Sequence, residues 1–204
     1  MNVVIIDYGM GNLISVKRAL EECGADVTIS SDLSVVEAAG RLVLPGVGAF
    51  PDGMAELRSR GLDQAILAAL QNASCEILGI CLGMQLLATV GFEGSQTEGL
   101  NLIPGKVERL QPLDENDRIP HVGWNELSFV QHDPIFNDLP DGSDFYFVHS
   151  YHFIPENDSD IIATTPYCGN FVSMVRKNNI YGVQFHPEKS QQSGFKIIRN
   201  FLGL

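Results

Sequence analysis

Basic residues are scarce in this 204-residue chain: 13 lysines and arginines stand against 25 aspartates and glutamates, a formal charge of −12. With no cationic surplus to displace counterions from a phosphate backbone, nucleic acid is not an expected partner; a basic protein surface is the better match. Cysteine is also rare. Cys23, Cys75, Cys81 and Cys168 form no CxxC and show no regular spacing, which argues against a zinc cage. Long apolar runs are missing. The longest, 77–90, is interrupted by Gly79 and Gly83 and falls short of the ~20 residues that span a bilayer. The short apolar run Val3–Ile6 has no basic region before it, so no leader peptide is expected. The expected setting is a reducing cytoplasm, with the cysteines as thiols. Linkers rich in Pro, Gly or Ser, repeats and low-complexity tracts are absent too, which implies one domain over 1–204.

What is present is ample apolar material, 45 % of residues, enough for a globular core. In the first hundred residues its periodicity alternates. Apolar runs at 2–7, 27–30, 41–44 and 76–80 read as buried strands. Helical spacing at 13–23 (stopped by Gly24), 33–39, 54–60, 63–71 and 82–88 fills the gaps. Such β-α-β-α order implies a parallel sheet covered by helices on both faces. The second half differs: short strands at 107–110, 127–130, 145–149, 161–164, 171–176 and 180–185 precede one convincing helix, 194–202. Antiparallel strands should extend or flank the parallel core.

The most specific local signal is Gly79-Ile80-Cys81-Leu82-Gly83-Met84-Gln85. A strand that ends at a cysteine, between glycines and before a helix, has the form of the elbow on which hydrolases mount a nucleophile. The glycines would permit a tight turn, and the helix N-terminus would favour thiolate. The plainer alternative is a cysteine packed as a small hydrophobe, which is how Cys23 and Cys75 read; Cys168 reads as a loop residue. A nucleophile needs a base and the base an orienting group. Among five histidines, His186 in Tyr181–Ser190 is the strongest candidate, because Glu188 lies two residues on. An extended backbone through Pro187 would put both side chains on one face. The alternative is a surface histidine beside a solvated glutamate. Leu44-Pro45-Gly46-Val47-Gly48 ends a strand with two glycines and could offer an oxyanion donor beside the N–H of Leu82, or be a plain turn. Asp7-Tyr8-Gly9-Met10-Gly11-Asn12 lacks the third glycine of a dinucleotide fingerprint, with Ile14 in its place. Its Asp and Asn read better as turn caps or partner contacts.

GICLGMQ, with LPGVG before it and FHPE after it, resembles the class I, or triad-type, glutamine amidotransferases. The segments 7–13, 120–125, 145–151 and 181–190 resemble, end to end, the family's branch of glutaminase subunits that serve imidazole glycerol phosphate synthases. The chain departs from that branch at Val122, usually Met, in the less acidic stretch 91–95, and at Asn101, commonly Gly. The resemblance implies a three-layer α/β sandwich around a mostly parallel, flavodoxin-like sheet. It implies Cys81 as nucleophile, His186 as base and Glu188 as its orienter, with Gly48 and the N–H of Leu82 at the oxyanion site. Gln85, Glu93 and the backbone at Ser150 and Tyr151 would contact glutamine. Asn12, Trp124, Asn125, Tyr146 and Lys189 would face a cyclase partner, a (β/α)8 barrel, in a heterodimer. No metal or organic cofactor is implied. The implied reaction is hydrolysis of glutamine through a cysteinyl thioester. Its ammonia would go to the cyclase, which makes imidazole glycerol phosphate and aminoimidazole carboxamide ribonucleotide in histidine biosynthesis. Two alternatives stay open on the sequence: a paralogue feeding another barrel synthase, as in surface-sugar amidination, and a stand-alone cysteine amidase or peptidase.

Overall fold

The computed structural model describes residues 1–113, 115 and 117–204. The first half runs β1 (Asn2–Ile6), α1 (Leu13–Glu22), β2 (Asp26–Ser30), α2 (Leu33–Glu37), β3 (Arg41–Gly46), α3 (Phe50–Ser59), α4 (Leu62–Ala69), β4 (Glu76–Cys81) and α5 (Leu82–Leu86). The second half is strand-rich: β5 (Val90–Gly91), β6 (Thr97–Glu98), β7 (Gly105–Arg109), β8 (His121–Glu126), β9 (Ser128–Phe129), β10 (Asp144–His149), β11 (Tyr151–Pro155), β12 (Ile161–Thr165), β13 (Phe171–Lys177) and β14 (Ile180–Val183), closed by α6 (Gln191–Leu202).

The main sheet has the order β2-β1-β3-β4-β14-β13-β12-β9. Its first five strands are parallel, and β13, β12 and β9 continue it antiparallel. β1 shows why the sheet must be covered on both faces. Val3 and Ile5 enter one core cluster with α1 and α6, whereas Val4 and Ile6 enter the other with α3, α4 and α5. Alternate side chains point to opposite faces, so a strand apolar throughout needs two layers of cover, each buried Val or Ile contributing about 1.5–3 kcal/mol. A four-stranded sheet, β11-β7-β5-β6, and a two-stranded ribbon, β10-β8, flank this sandwich. No helix among the described residues is long and apolar enough to cross a membrane.

Local chemistry explains the boundaries. Asn12 caps α1 by accepting the Ser15 N–H, and Asp7 accepts the Gly9 N–H, so both act as the turn caps their positions suggest. Gly24, at φ +94°, ends α1 in a conformation only glycine takes cheaply. α3 starts at Phe50, four residues before the expected 54, because Pro51 sits in its first turn, where a missing N–H costs nothing. α5 stops at Leu86, two residues short of the expected 88, as the N–H groups of Leu100, Leu102 and Ile103 claim the Leu86 and Leu87 carbonyls. Asn101, where glycine is common in the resembling branch, takes φ +52°, which asparagine tolerates better than most residues.

Candidate active site

The carboxyl ends of the parallel strands meet at one cavity of about 270 Å³, lined by Val47, Gly48, Cys81, Leu82, Gln85, Glu93, Val148, His149, Ser150, Tyr151 and His186. β4 delivers Cys81 there with φ +55° and ψ −110°, a sharp strand-to-helix turn. The expectation that flanking glycines make this turn needs correction: the cysteine itself takes the positive φ. Gly79 and Gly83 serve close packing. A Cβ on Gly83 would lie 1.7 Å from the Leu44 carbonyl oxygen, and one on Gly79 2.6 Å from that of Gly83. The elbow is thus wedged against β3. Gly83→Ala should therefore cost more than about 3 kcal/mol, because backbone rather than a flexible side chain must give way. Urea denaturation checks this; a loss below about 1 kcal/mol would mean the elbow is not tightly held.

His186 follows β14, and its Nδ1 pairs with Glu188 Oε1 at 2.8 Å, both side chains almost fully buried. The backbone between them is not extended as expected. Pro187–Lys189 is a 3-10 turn, which proline at its first position favours, and the turn instead of a shared strand face brings the carboxylate to the ring. Nε2 is buried with no hydrogen-bond partner among the described residues. Burial opposes charge on this ring, yet the Cys81 sulfur and the Glu188 carboxylate outweigh it and hold the pKa up at about 9. That balance favours the protonated ring.

The other expected residues fall into two places. Gly48 (φ +117°) and Leu82 line the cavity beside Cys81. Gln85 also lines it, but its amide N–H groups go to the Tyr151 carbonyl (2.9 Å) and to Gln184 Oε1 (3.0 Å), leaving its own oxygen to offer a ligand. Glu93 reaches the wall while its Oε2 accepts the Phe50 N–H at 2.7 Å, capping α3. Ser150 and Tyr151 form the opposite wall. Outside the cavity, Trp124 on β8 and Tyr146 on β10 are paired in register and meet edge to face at 6.1 Å, with Lys189 Nζ 5.6 Å from the Tyr146 ring centre. Trp124 is 49 % exposed and Val122 56 %, an apolar patch that single-chain folding does not explain. Asn125 is half-buried and turns its amide to His121, so it and Trp124 serve opposite faces of the ribbon. Asn12 is the helix cap described above.

Sequence reading missed Gln184, His121 and His149. Gln184 is fully buried and donates towards Cys81 Sγ at 3.7 Å. Its signal was a polar residue inside the apolar strand run 180–185. The histidines gave no local signal, because their partners lie on other strands. As expected, Cys23 and Cys75 are buried, and Cys168 lies in a turn.

Comparison with known proteins adds ancestry to this geometry. The family model for Glutamine amidotransferase class-I matches residues 4–203. The imidazole glycerol phosphate synthase subunit HisH of Moorella thermoacetica is 44 % identical over 199 residues, covering 98 % of this chain and 93 % of that protein. The subunit of the same name from Syntrophotalea carbinolica is 45 % identical over 203 residues, covering 98 % of both chains. Among solved structures, a chain of PurLQS from Thermotoga maritima superposes with a TM-score of 0.76 at 18 % identity, covering 99 % of this chain and 97 % of that one, a likeness of fold.

Proposed function

This chain belongs to the glutamine amidotransferase class-I family, and on that premise we propose how its residues divide the work. It is a glutamine-hydrolysing subunit of imidazole glycerol phosphate synthase. Glutamine enters the cavity with its carboxamide over Cys81. The sulfur attacks the amide carbon, and the oxyanion that forms is met by the N–H groups of Leu82 and Gly48. His186 gives its proton to the departing nitrogen, ammonia leaves, and a thioester remains. Water then attacks the thioester, His186 takes its proton, and glutamate is released with the thiolate restored. Glu188 holds the ring in the orientation that serves both steps. Gln85, Glu93, Ser150 and Tyr151 bind the amino-acid end. No metal is needed in this sequence of steps.

Ammonia passes to a cyclase subunit with a (β/α)8 barrel, seated on the face that carries Trp124, Tyr146 and Lys189, in the cytoplasm. Two backbone links support that placement. The Tyr146 carbonyl accepts the His186 N–H at 2.9 Å, and its N–H donates to Ser190 Oγ at 3.0 Å, so a push on the ribbon reaches the catalytic turn directly. The deep negative charge of this chain favours a basic surface on the partner.

The observation that carries the mechanism is the buried His186–Glu188 pair opening on the same cavity as Cys81. The diazo-ketone glutamine analogue 6-diazo-5-oxo-norleucine should label Cys81 before the other three thiols. Peptide mass mapping checks this; Cys75 or Cys168 labelled first would refute the assignment.

A further inference from the structure

Two buried histidines outside the triad form a chain of hydrogen bonds whose direction can be worked out. His121 on β8 and His149 on β10 are register partners, 4 % and 6 % exposed. His121 Nδ1 lies 3.1 Å from His149 Nε2. His149 Nδ1 lies 2.8 Å from the Tyr151 carbonyl oxygen, and Asn125 Nδ2 lies 3.3 Å from His121 Nε2. A carbonyl only accepts, so His149 must carry its proton on Nδ1. Its Nε2 is then an acceptor, which requires His121 to donate from Nδ1 as well. His121 Nε2 must accept in turn, and Asn125 supplies the proton. The Asn125 amide is fixed the right way round, because its Oδ1 accepts the Glu126 N–H at 2.9 Å. Backbone groups therefore anchor both ends, and each proton between them has one place.

A charge on either ring would set one N–H against another. Burial points the same way: it holds His121 down at about 4 and, with the neighbouring His121, His152 and His186 adding to it over the opposing pull of the Tyr151 carbonyl, His149 at about 3. His121 stacks on Tyr167 at 4.0 Å, and His149 meets the edge of Phe171 at 4.7 Å, so aromatic packing shields the pair. The Tyr151 carbonyl takes a second hydrogen bond from Gln85, which reaches Gln184 and through it Cys81. The route runs unbroken from the ribbon to the nucleophile.

We propose that His121 and His149 are positioning residues, which fix the Ser150–Tyr151 wall of the glutamine cavity and tie it to the ribbon that carries Trp124. The role rests on reading that cavity as the glutamine site. Nitrogen-15 imidazole spectra of the full chain at neutral pH should show both rings as the Nδ1–H tautomer, with a coupling across the His121–His149 hydrogen bond. An Nε2–H tautomer at either ring would overturn the proposal. Inactivation by 6-diazo-5-oxo-norleucine tests the positioning role. In His149→Ala, and in Asn125→Ala at a half-exposed site that folding tolerates, the half-saturating concentration should rise about 3- to 10-fold, the loss expected for one or two hydrogen bonds. In Asn125→Ala, whose site lies outside the cavity, alkylation of Cys81 by iodoacetamide, which needs no wall, should hold its rate. Unchanged half-saturation, or both reagents slowing together, would overturn the role. An unaltered chain that resists the diazo ketone at Cys81 would show that the cavity reading itself is wrong, and the role would fall with it.

Discussion

Cys81→Ala, assembled with its cyclase subunit, should lose synthesis from glutamine by at least about 10⁴-fold while keeping near-normal synthesis from ammonium salt. Alanine cannot form the thioester, so the carboxamide bond is left to uncatalysed hydrolysis. On the proposed division of labour, the cyclase needs only ammonia and Cys81 takes no part in closing the imidazole ring. The substitution is small and should leave the fold intact, since the turn at φ +55° is held by the fit of Gly83 against Leu44 and not by the sulfur. Trp124→Ala should behave differently: its effect falls on activation or delivery across the ribbon face, and labelling of Cys81 by the diazo ketone remains possible. Paired assays, one fed glutamine and one fed ammonium salt at a pH with appreciable free ammonia, separate the cases. A Cys81 variant that binds its partner and yet loses both activities would contradict the division of labour.

What was legible in the sequence was what local periodicity and short-range spacing encode. β1, β3 and β4 stand out because they are apolar on both faces, β2 by the alternation of Val27 and Ile29 with polar residues, the helices by an apolar stripe, and the elbow because strand, cysteine and helix are contiguous. The strands that went unread are β5, β6, β8 and β11. Two are only two residues long. β8, His-Val-Gly-Trp-Asn-Glu, inverts the usual alternation by exposing Val122 and Trp124 and burying His121 in a polar network. β11 holds the half-buried Tyr151 and His152 beside apolar residues, which blurs its alternation. His186 and Glu188 do meet, but on a 3-10 turn and not on a strand face, because a spacing of two fits either. Contacts made across the fold, such as Gln184 with Cys81 or His121 with His149, depend on which distant strands become neighbours, and no local pattern names a strand's partner.

Glu188→Gln should shift the working pH range of the enzyme instead of abolishing its activity. The ring of His186 has a pKa of about 9 because Cys81 and Glu188 together overcome the burial that would lower it. Removing the carboxylate charge takes away one of those raising influences, so the pKa must fall, towards the ordinary value of about 6.5. On the proposed mechanism, glutamine turnover needs the proton on His186 for the departing ammonia. The unaltered enzyme thus holds that proton to higher pH than the variant does. The alkaline limb of kcat/KM should therefore move to lower pH, and the loss should be larger at pH 8 than at pH 6. Orientation survives, since the glutamine oxygen can still accept the Nδ1 hydrogen bond. Its amide nitrogen would take the place of Glu188 Oε2, which has no hydrogen-bond partner among the described residues to lose. His186→Ala has no such remedy: with neither base nor acid present, turnover should fall about 10²- to 10⁴-fold at every pH. A complete pH profile of each variant, taken with the cyclase bound, decides the matter. An alkaline limb that stays near pH 9 in Glu188→Gln would remove the carboxylate from control of the ring and leave it a structural prop.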